Sequence, residues 1–249
     1  MWKMKTKPMF RYTFSLLMML ASAVALSQQA SDTINYKDKY GLRIGVDLSK
    51  PVRSLLDDQY RGLELLGDYR VTENFYAAAE LGNEKLTYDG DNISTFSTGS
   101  YIKLGADYNA YENWQDMQNM IFVGMRYGFS TFSQTLNSYA IYTSSNYYGD
   151  HIVEANEQTK GLNASWVELM GGIKVEVLNN LFLSLNVQLK RRISEKAPEE
   201  YDNLTIPGFG RTYDQSNFGA GYGYSISYMI PLYKKAHQAS EKEQDETGN

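Results

Sequence analysis

The stretch FGAGYGYSISYMI, residues 218–230, sets Phe218, Ala220, Tyr222, Tyr224, Ile226, Tyr228 and Ile230 against Gly219, Gly221, Gly223, Ser225 and Ser227. Side chains of an extended chain alternate sides with period two, so the segment is a strand with one apolar, aromatic face and one small polar face. Seven upstream segments follow the same rule: 40–48, 61–70, 75–85, 98–109, 120–130, 164–177 and 181–191. Their apolar phase is almost free of charge, as in Leu42, Ile44 and Val46 of the first or Leu181, Leu183, Leu185, Val187 and Leu189 of the seventh. Strands of about ten residues with one apolar face are what a bilayer-crossing barrel requires. The expected fold class is therefore all-β, an eight-stranded antiparallel up-and-down transmembrane β-barrel.

The connections predict its orientation, because bacterial barrels have short periplasmic turns and longer external loops. Connections 71–74, 110–119 and 178–180 are the shorter set. Those at 49–60, 86–97, 131–163 and 193–216 all exceed the usual loop of about four to six residues. Both chain ends are expected on the periplasmic side.

The polar phase carries Arg43, Arg70, Lys103, Arg126, Lys174 and Lys190 among Asp47, Glu64, Asp68, Glu80, Glu84, Asp107, Glu168 and Glu176. With lipid outside, these residues face a lumen that eight strands leave just wide enough for side chains. An ion network is expected there from Arg43, Asp47, Glu64, Asp68, Arg70, Glu80, Lys103, Asp107, Arg126, Glu168, Lys174 and Lys190. Such a network is tolerable only if every charge is paired. The alternative use of the same groups is a narrow ion or proton path along Arg43, Asp47, Lys103 and Arg126. The structural rival is a soluble, lipocalin-like barrel with its apolar face turned inward. Against it stand the glycines on the polar phase, which relieve crowding inside a small barrel. The aromatics Tyr40, Tyr69, Phe75, Tyr108, Phe129, Trp166, Phe218 and Tyr228 fall near strand ends, where membrane barrels carry their girdles.

Export is read from the first 27 residues. Lys3, Lys5, Lys7 and Arg11 precede an apolar run from Phe14 to Leu26 and the small residues Ala21, Ser22, Ala23, Ala25 and Ser27. That pattern predicts a signal peptide over 1–27, because the run is shorter than the roughly 20 residues a membrane-spanning helix needs. Residues 28–39 read as a periplasmic lead-in, 40–233 as the barrel and 234–249 as a disordered charged tail. Removing four basic residues takes the formal charge from −5 to −9, which argues against nucleic acid as a partner. The chain has no cysteine, so no disulfide framework or thiolate metal site is expected.

The opening YGLRIGVDLSKPV (40–52), the hairpin LELLGDYRVTENFYAAAELG (63–82) and the closing FGAGYGYSISYMIPLYK (218–234) resemble small outer-membrane barrels of the OmpA/OmpX type. More closely, they resemble a family of uncharacterised outer-membrane barrel proteins of Bacteroidota. The resemblance implies an outer-membrane location and a lumen filled by side chains, and it carries no catalytic residue.

Candidate chemistry outside the strands is sparse. His151, with Asp150, Glu154 and Ser144 or Ser145, is the only group that suggests a lipid-A or phospholipid modifying enzyme, and no strand offers a paired nucleophile and base. No metal or other cofactor is expected. The acidic pairs Asp57-Asp58 and Glu199-Glu200 with Asp202 read as solvated loops. Tyr139, Tyr142, Tyr147 and Tyr148 lie among serines and asparagines in the longest loop, a composition suited to an external protein or glycan. The expected partners are thus outer-membrane lipids and lipopolysaccharide, the barrel-insertion machinery through the aromatic end 228–233, and a loop-borne ligand. The expected role is structural or interactive, without catalysis.

Overall fold

The computed structural model describes residues 37–111, 118–141, 151–199, 201–213 and 215–236. The described elements are β1 (Lys37–Asp47), α1 (Ser49–Leu56), β2 (Tyr60–Arg70), β3 (Phe75–Asp89), β4 (Ile93–Asn109) and β5 (Met120–Ile141), then β6 (His151–Leu178), β7 (Leu181–Glu195), β8 (Thr205–Ile206), β9 (Gly210–Arg211) and β10 (Phe218–Ala236). Eight of the strands close into a ring in the order β1-β10-β7-β6-β5-β4-β3-β2, each antiparallel to its neighbours. Closure removes the open edges that a sheet would otherwise present along those pairings. The seam is made by β1 and β10, from Lys37 opposite Ala236 to Asp47 opposite Ser225.

The two strand phases face opposite ways, and the charged one faces in. Lys103 is 1% exposed, whereas Val187 on the outer wall is 67% exposed. Leu63, Leu65, Leu81, Leu104, Val123, Met125, Leu169, Leu185 and Tyr222 share that outer wall. The lipocalin-like alternative, with its apolar interior, is excluded by this arrangement. Two of the aromatics assigned to girdles are corrected in the same way. Tyr40 and Trp166 are buried, while Phe75, Tyr108, Phe129, Phe218 and Tyr228 point outward. A register shift between Tyr40 and Gly41 puts both of those residues inside, and Trp166 shares the phase of Glu168, a lumen position.

Strands run well past the amphipathic stretches that marked them. The expected loop at 86–97 shrinks to a turn at 90–92, because β3 and β4 pair out to Asp89 opposite Ser94. The expected loop at 131–163 is largely a two-stranded continuation of β5 and β6, which are 22 and 28 residues long. Beyond Ser130 the outward residues become polar (Thr131, Ser133, Thr135), so the alternation that revealed the lower strand disappears although the pairing continues. Tyr139 belongs to this hairpin, opposite Val153. The connection 49–60 also departs from expectation, since it contains the two-turn helix α1. Asp47 Oδ1 accepts the Ser49 N–H at 2.7 Å, supplying a partner for a first-turn donor, and Pro51 sits where the helix needs no N–H.

A ring of continuous backbone pairing resists dodecyl sulfate until heated. Unheated protein is expected to run faster on a denaturing gel than boiled protein, as a compact barrel does; identical mobility would contradict the closed ring.

Candidate functional site

Inside the ring, adjacent strands deliver opposite charges to a continuous ladder. At its inner end the Arg43 guanidinium donates to Asp68 at 2.6 Å and lies over the rings of Tyr76 and Phe182. Lys174 joins Asp68 at 2.8 Å to Asp107 at 3.2 Å. Arg126 joins Asp107 at 2.7 Å to Glu80 at 3.1 Å. The Lys103 ammonium then collects Glu80 at 2.9 Å, Glu64 at 3.1 Å and Glu168 at 3.8 Å. Lys190 closes the series at 3.4 Å from Glu168. Five cations and five carboxylates thus alternate through the lumen, all of them buried. Tyr101 and Trp166 add hydrogen bonds to Glu64 and Glu168 at 2.5 and 2.7 Å.

Burying ions costs several kcal/mol each, and close opposite charges offset that cost only when geometry and hydrogen bonding are good. The strand register provides the geometry: Glu80 pairs with Lys103, Arg126 with Glu168, and Glu168 with Lys190 as cross-strand neighbours. Apolar side chains pack at both ends of the ladder. Tyr76, Met120, Phe122 and Met170 pack at the short-turn end. Tyr101, Phe132, Leu162, Ala164 and Trp166 pack at the other, around Ile206 and Phe209.

Ile206 and Phe209 come from the connection expected as an external loop at 193–216, of which Thr205–Arg211 instead turns into the barrel mouth. Its miniature sheet, Thr205–Ile206 against Gly210–Arg211, puts Gly208 at the tip. The tip is clamped from both sides: the Gly208 N–H donates to Glu84 at 2.9 Å, and its carbonyl accepts from Lys190 at 2.7 Å. Gly208 has φ +83°, and a Cβ there would lie 2.6 Å from Tyr101 Cγ, so only glycine fits. Phe209 meets Trp166 edge to face at 6.0 Å, and Trp166 in turn lies over Gly128, where a Cβ would come within 2.2 Å of its ring.

Glu84 is the hub of the mouth. Besides Gly208 it accepts from Lys50 of α1 at 2.5 Å and from the Tyr60 hydroxyl at 2.9 Å. Burial lowers the Lys50 pKa, but the carboxylates of Glu84 and Glu64 together raise it more, leaving it above the ordinary lysine value. On the lysine side, the pair therefore contributes stability at neutral pH that is lost as pH rises through that elevated value. Between α1 and the inserted loop lies an outward-facing cavity of about 430 Å³, floored by Glu64, Glu84, Lys103 and Lys190. A second cavity of about 40 Å³ lies among the ladder charges.

With this geometry in view, the family can be stated. A family model described as Domain of unknown function (DUF6048) matches residues 9–235. The chain belongs to the DUF6048 family. Comparison with curated protein sequences gives no match. Among solved structures, Neisserial surface protein A is similar with 9% identity and a TM-score of 0.40, over 77% of this chain and 95% of that one. Ail, the attachment invasion locus protein of Yersinia pestis, follows with 8% identity and a TM-score of 0.38, over 77% and 98%. CarO2 of Acinetobacter baumannii gives 10% identity and a TM-score of 0.35, over 79% and 100%. The architecture of the DUF6048 chain rests on its own strand pairing.

All twelve lumen residues named from the sequence are buried in this DUF6048 barrel, and ten of them form the ladder. Asp47 is turned to the Ser49 N–H. Arg70 lies at the short-turn end, donating to the carbonyls of Thr72 and Glu73 and stacked on Tyr40 and Tyr76. Tyr142, Tyr147, Tyr148, Ser144, Ser145 and Asp150 lie outside the described residues, as do the signal segment and residues 237–249. His151 is placed by its backbone opposite Ile141 at the far end of the hairpin. Glu84 was read on the polar phase but left out of the named network, and Gly208 was not singled out because it lies in a loop.

Replacing Lys103 with Met leaves Glu64, Glu80 and Glu168 without their shared cation and should destabilise the barrel by about 3–5 kcal/mol. The check is a lower temperature for the gel-mobility transition, with Asp58→Ala as a silent control. Gly208→Ala should lift the inserted loop and part Phe209 from Trp166, read as a red shift in tryptophan emission.

Proposed function

We propose that this chain spans the outer membrane of a Gram-negative bacterium as a closed, non-catalytic barrel, with short turns in the periplasm and the mouth, α1 and the β5–β6 hairpin outside. Its role is to anchor external elements that meet partners at the cell surface. The observation that carries this reading is the inverted burial, with leucines and valines on the wall and five ion pairs' worth of charge inside. Burying one large apolar side chain is worth roughly 1.5–3 kcal/mol. A wall of such side chains facing water would be untenable, whereas lipid makes the same wall favourable, and a closed barrel is the strand architecture that satisfies its backbone there.

The same packing favours a sealed lumen over a channel. Every ladder charge is within 4 Å of an opposite one, the outward cavity stops at Glu64, Lys103 and Lys190, and the apolar cluster of Tyr76, Met120, Phe122 and Met170 lies at the other end of the ladder. The protruding hairpin supports an interaction role. A strand crosses a bilayer in about 9–11 residues. β5 and β6 exceed that length by a factor of two, and the excess carries Tyr139 away from the membrane.

Two measurements test the proposal. In planar bilayers the protein should show no steady conductance, and a reproducible open level would overturn the sealed-lumen reading. Leu104→Arg, on the lipid-facing wall, should cost about 2–4 kcal/mol on reconstitution into vesicles, because a charge at the bilayer midplane is that unfavourable. A neutral effect would contradict lipid contact.

A further inference from the structure

α1 is two turns long, yet its faces are cleanly divided. Lys50, Arg53 and Ser54 turn to the barrel. Lys50 reaches Glu84, the Arg53 guanidinium lies 4.1 Å over the Tyr60 ring, and Ser54 Oγ accepts the Gly62 N–H at 2.9 Å. Val52, Leu55 and Leu56 fall on the opposite face at i, i+3 and i+4. None of the helix residues is buried, and Leu55 and Leu56 are 85% and 78% exposed, more than the residues of the barrel wall. A helix this short gains little from its own hydrogen bonds, and Leu55 and Leu56 find almost no cover on their own protein.

Its position supplies the missing environment. β1 stops at Asp47, opposite Ser225, and the Leu48 N–H donates to the Tyr224 carbonyl at 2.8 Å. β10 continues outward from Tyr224 to Phe218 with Tyr222, Ala220 and Phe218 still on the exposed wall. The helix therefore begins beside a strand that is still presenting its apolar face. The chain rejoins the ring at Tyr60, three residues before outward-facing Leu63. The Val52, Leu55 and Leu56 face thus continues the apolar wall across the notch between β10 and β2. Just beyond Leu63, Arg61 and its cross-strand partner Lys85 also point outward. Arg61 holds the helix end through the Ser54 and Asp57 carbonyls, at 2.7 and 3.3 Å, and Lys85 has no ion pair among the described residues.

We infer that α1 is an interfacial helix, its Val52, Leu55 and Leu56 face seated among the acyl chains of the outer leaflet and its flanking Arg61 and Lys85 at the level of anionic, phosphate-bearing headgroups. An amphipathic segment of this kind lies in the plane of the interface, apolar face down and cations at the headgroups. The inference rests on the membrane placement proposed above. It has a structural consequence: the lipid-held face and the Lys50 face belong to one rigid helix. Lipid contact therefore sets Lys50 against Glu84, and Glu84 in turn holds the Gly208 N–H.

The native chain has no cysteine, so single labels can be placed without background. Leu55→Cys, Val187→Cys and Asp58→Cys, each carrying an environment-sensitive fluorophore, are reconstituted in phosphatidylcholine vesicles containing rough lipopolysaccharide. Quenching is read with lipids spin-labelled near the headgroup or deep in the chain, and with aqueous iodide. The label at 55 should be blue-shifted and lose most of its emission to the shallow lipid quencher, the label at 187 to the deep one, and the label at 58 only to iodide. If 187 is quenched by lipid while 55 responds to iodide, the helix lies in water and the inference fails with the membrane placement intact. If 55 is shielded from lipid and iodide alike, another protein surface covers it, which also overturns the inference. Iodide quenching at both 55 and 187 would overturn the membrane placement as well.

Discussion

The structure depends on one requirement: charges placed in a lumen too narrow for bulk water must find each other. Lys103 shows how it is met. A single ammonium from β4 lies between carboxylates from β2, β3 and β6, so four of the eight barrel strands are tied at one point. From that point the ladder runs down through Arg126 and Lys174 to Arg43, and up through Glu168 to Lys190. Such a ladder adds little net stability relative to a well-packed apolar core, since desolvation cancels most of the attraction. What it provides is register. A strand slipped by one residue would turn every ladder charge into the apolar surroundings and every leucine into the lumen.

The two ends of the barrel are treated differently. The short-turn end is closed by residues of the ring itself, with Arg70 stacked between Tyr40 and Tyr76. The mouth is closed by parts added to the ring: the loop that carries Ile206 and Phe209 inward, and α1, which brings Lys50 to Glu84. Because Glu84 receives hydrogen bonds from both, the two additions are mechanically linked. The Gly208 carbonyl extends the link to Lys190, and so the surface elements communicate with the ladder through a short series of hydrogen bonds. The long β5–β6 hairpin rises from the same end, on a stiff base.

Much of this was legible in the residues alone. Period-two alternation separated wall from lumen in all eight strands, and the buried charges from Arg43 to Lys190 all sit on the polar phase. The signal weakened wherever the environment stopped being two-sided. Above Ser130, Thr131, Ser133 and Thr135 face water and the strand continues with no amphipathic mark. In Thr205–Arg211 no period is visible because a loop tip buried inside a ring is selected for fit at Pro207, Gly208 and Phe209. Trp166 could have been read correctly from its shared phase with Glu168; its place near a strand end pointed the other way.

Sequence by itself determined the number of barrel strands, the face each presents and the identity of the charges shut inside, because these follow from local alternation and the polarity of the two surroundings. Only the tertiary structure decided which charge meets which, that Thr205–Arg211 folds into the mouth, and that α1 spans the notch between β10 and β2 with its leucines outward. Those outcomes depend on residues more than a hundred positions apart, such as Lys174 with Asp68 and Gly208 with Glu84. Ring closure and strand register bring them together, and neither is written in any local stretch of the chain.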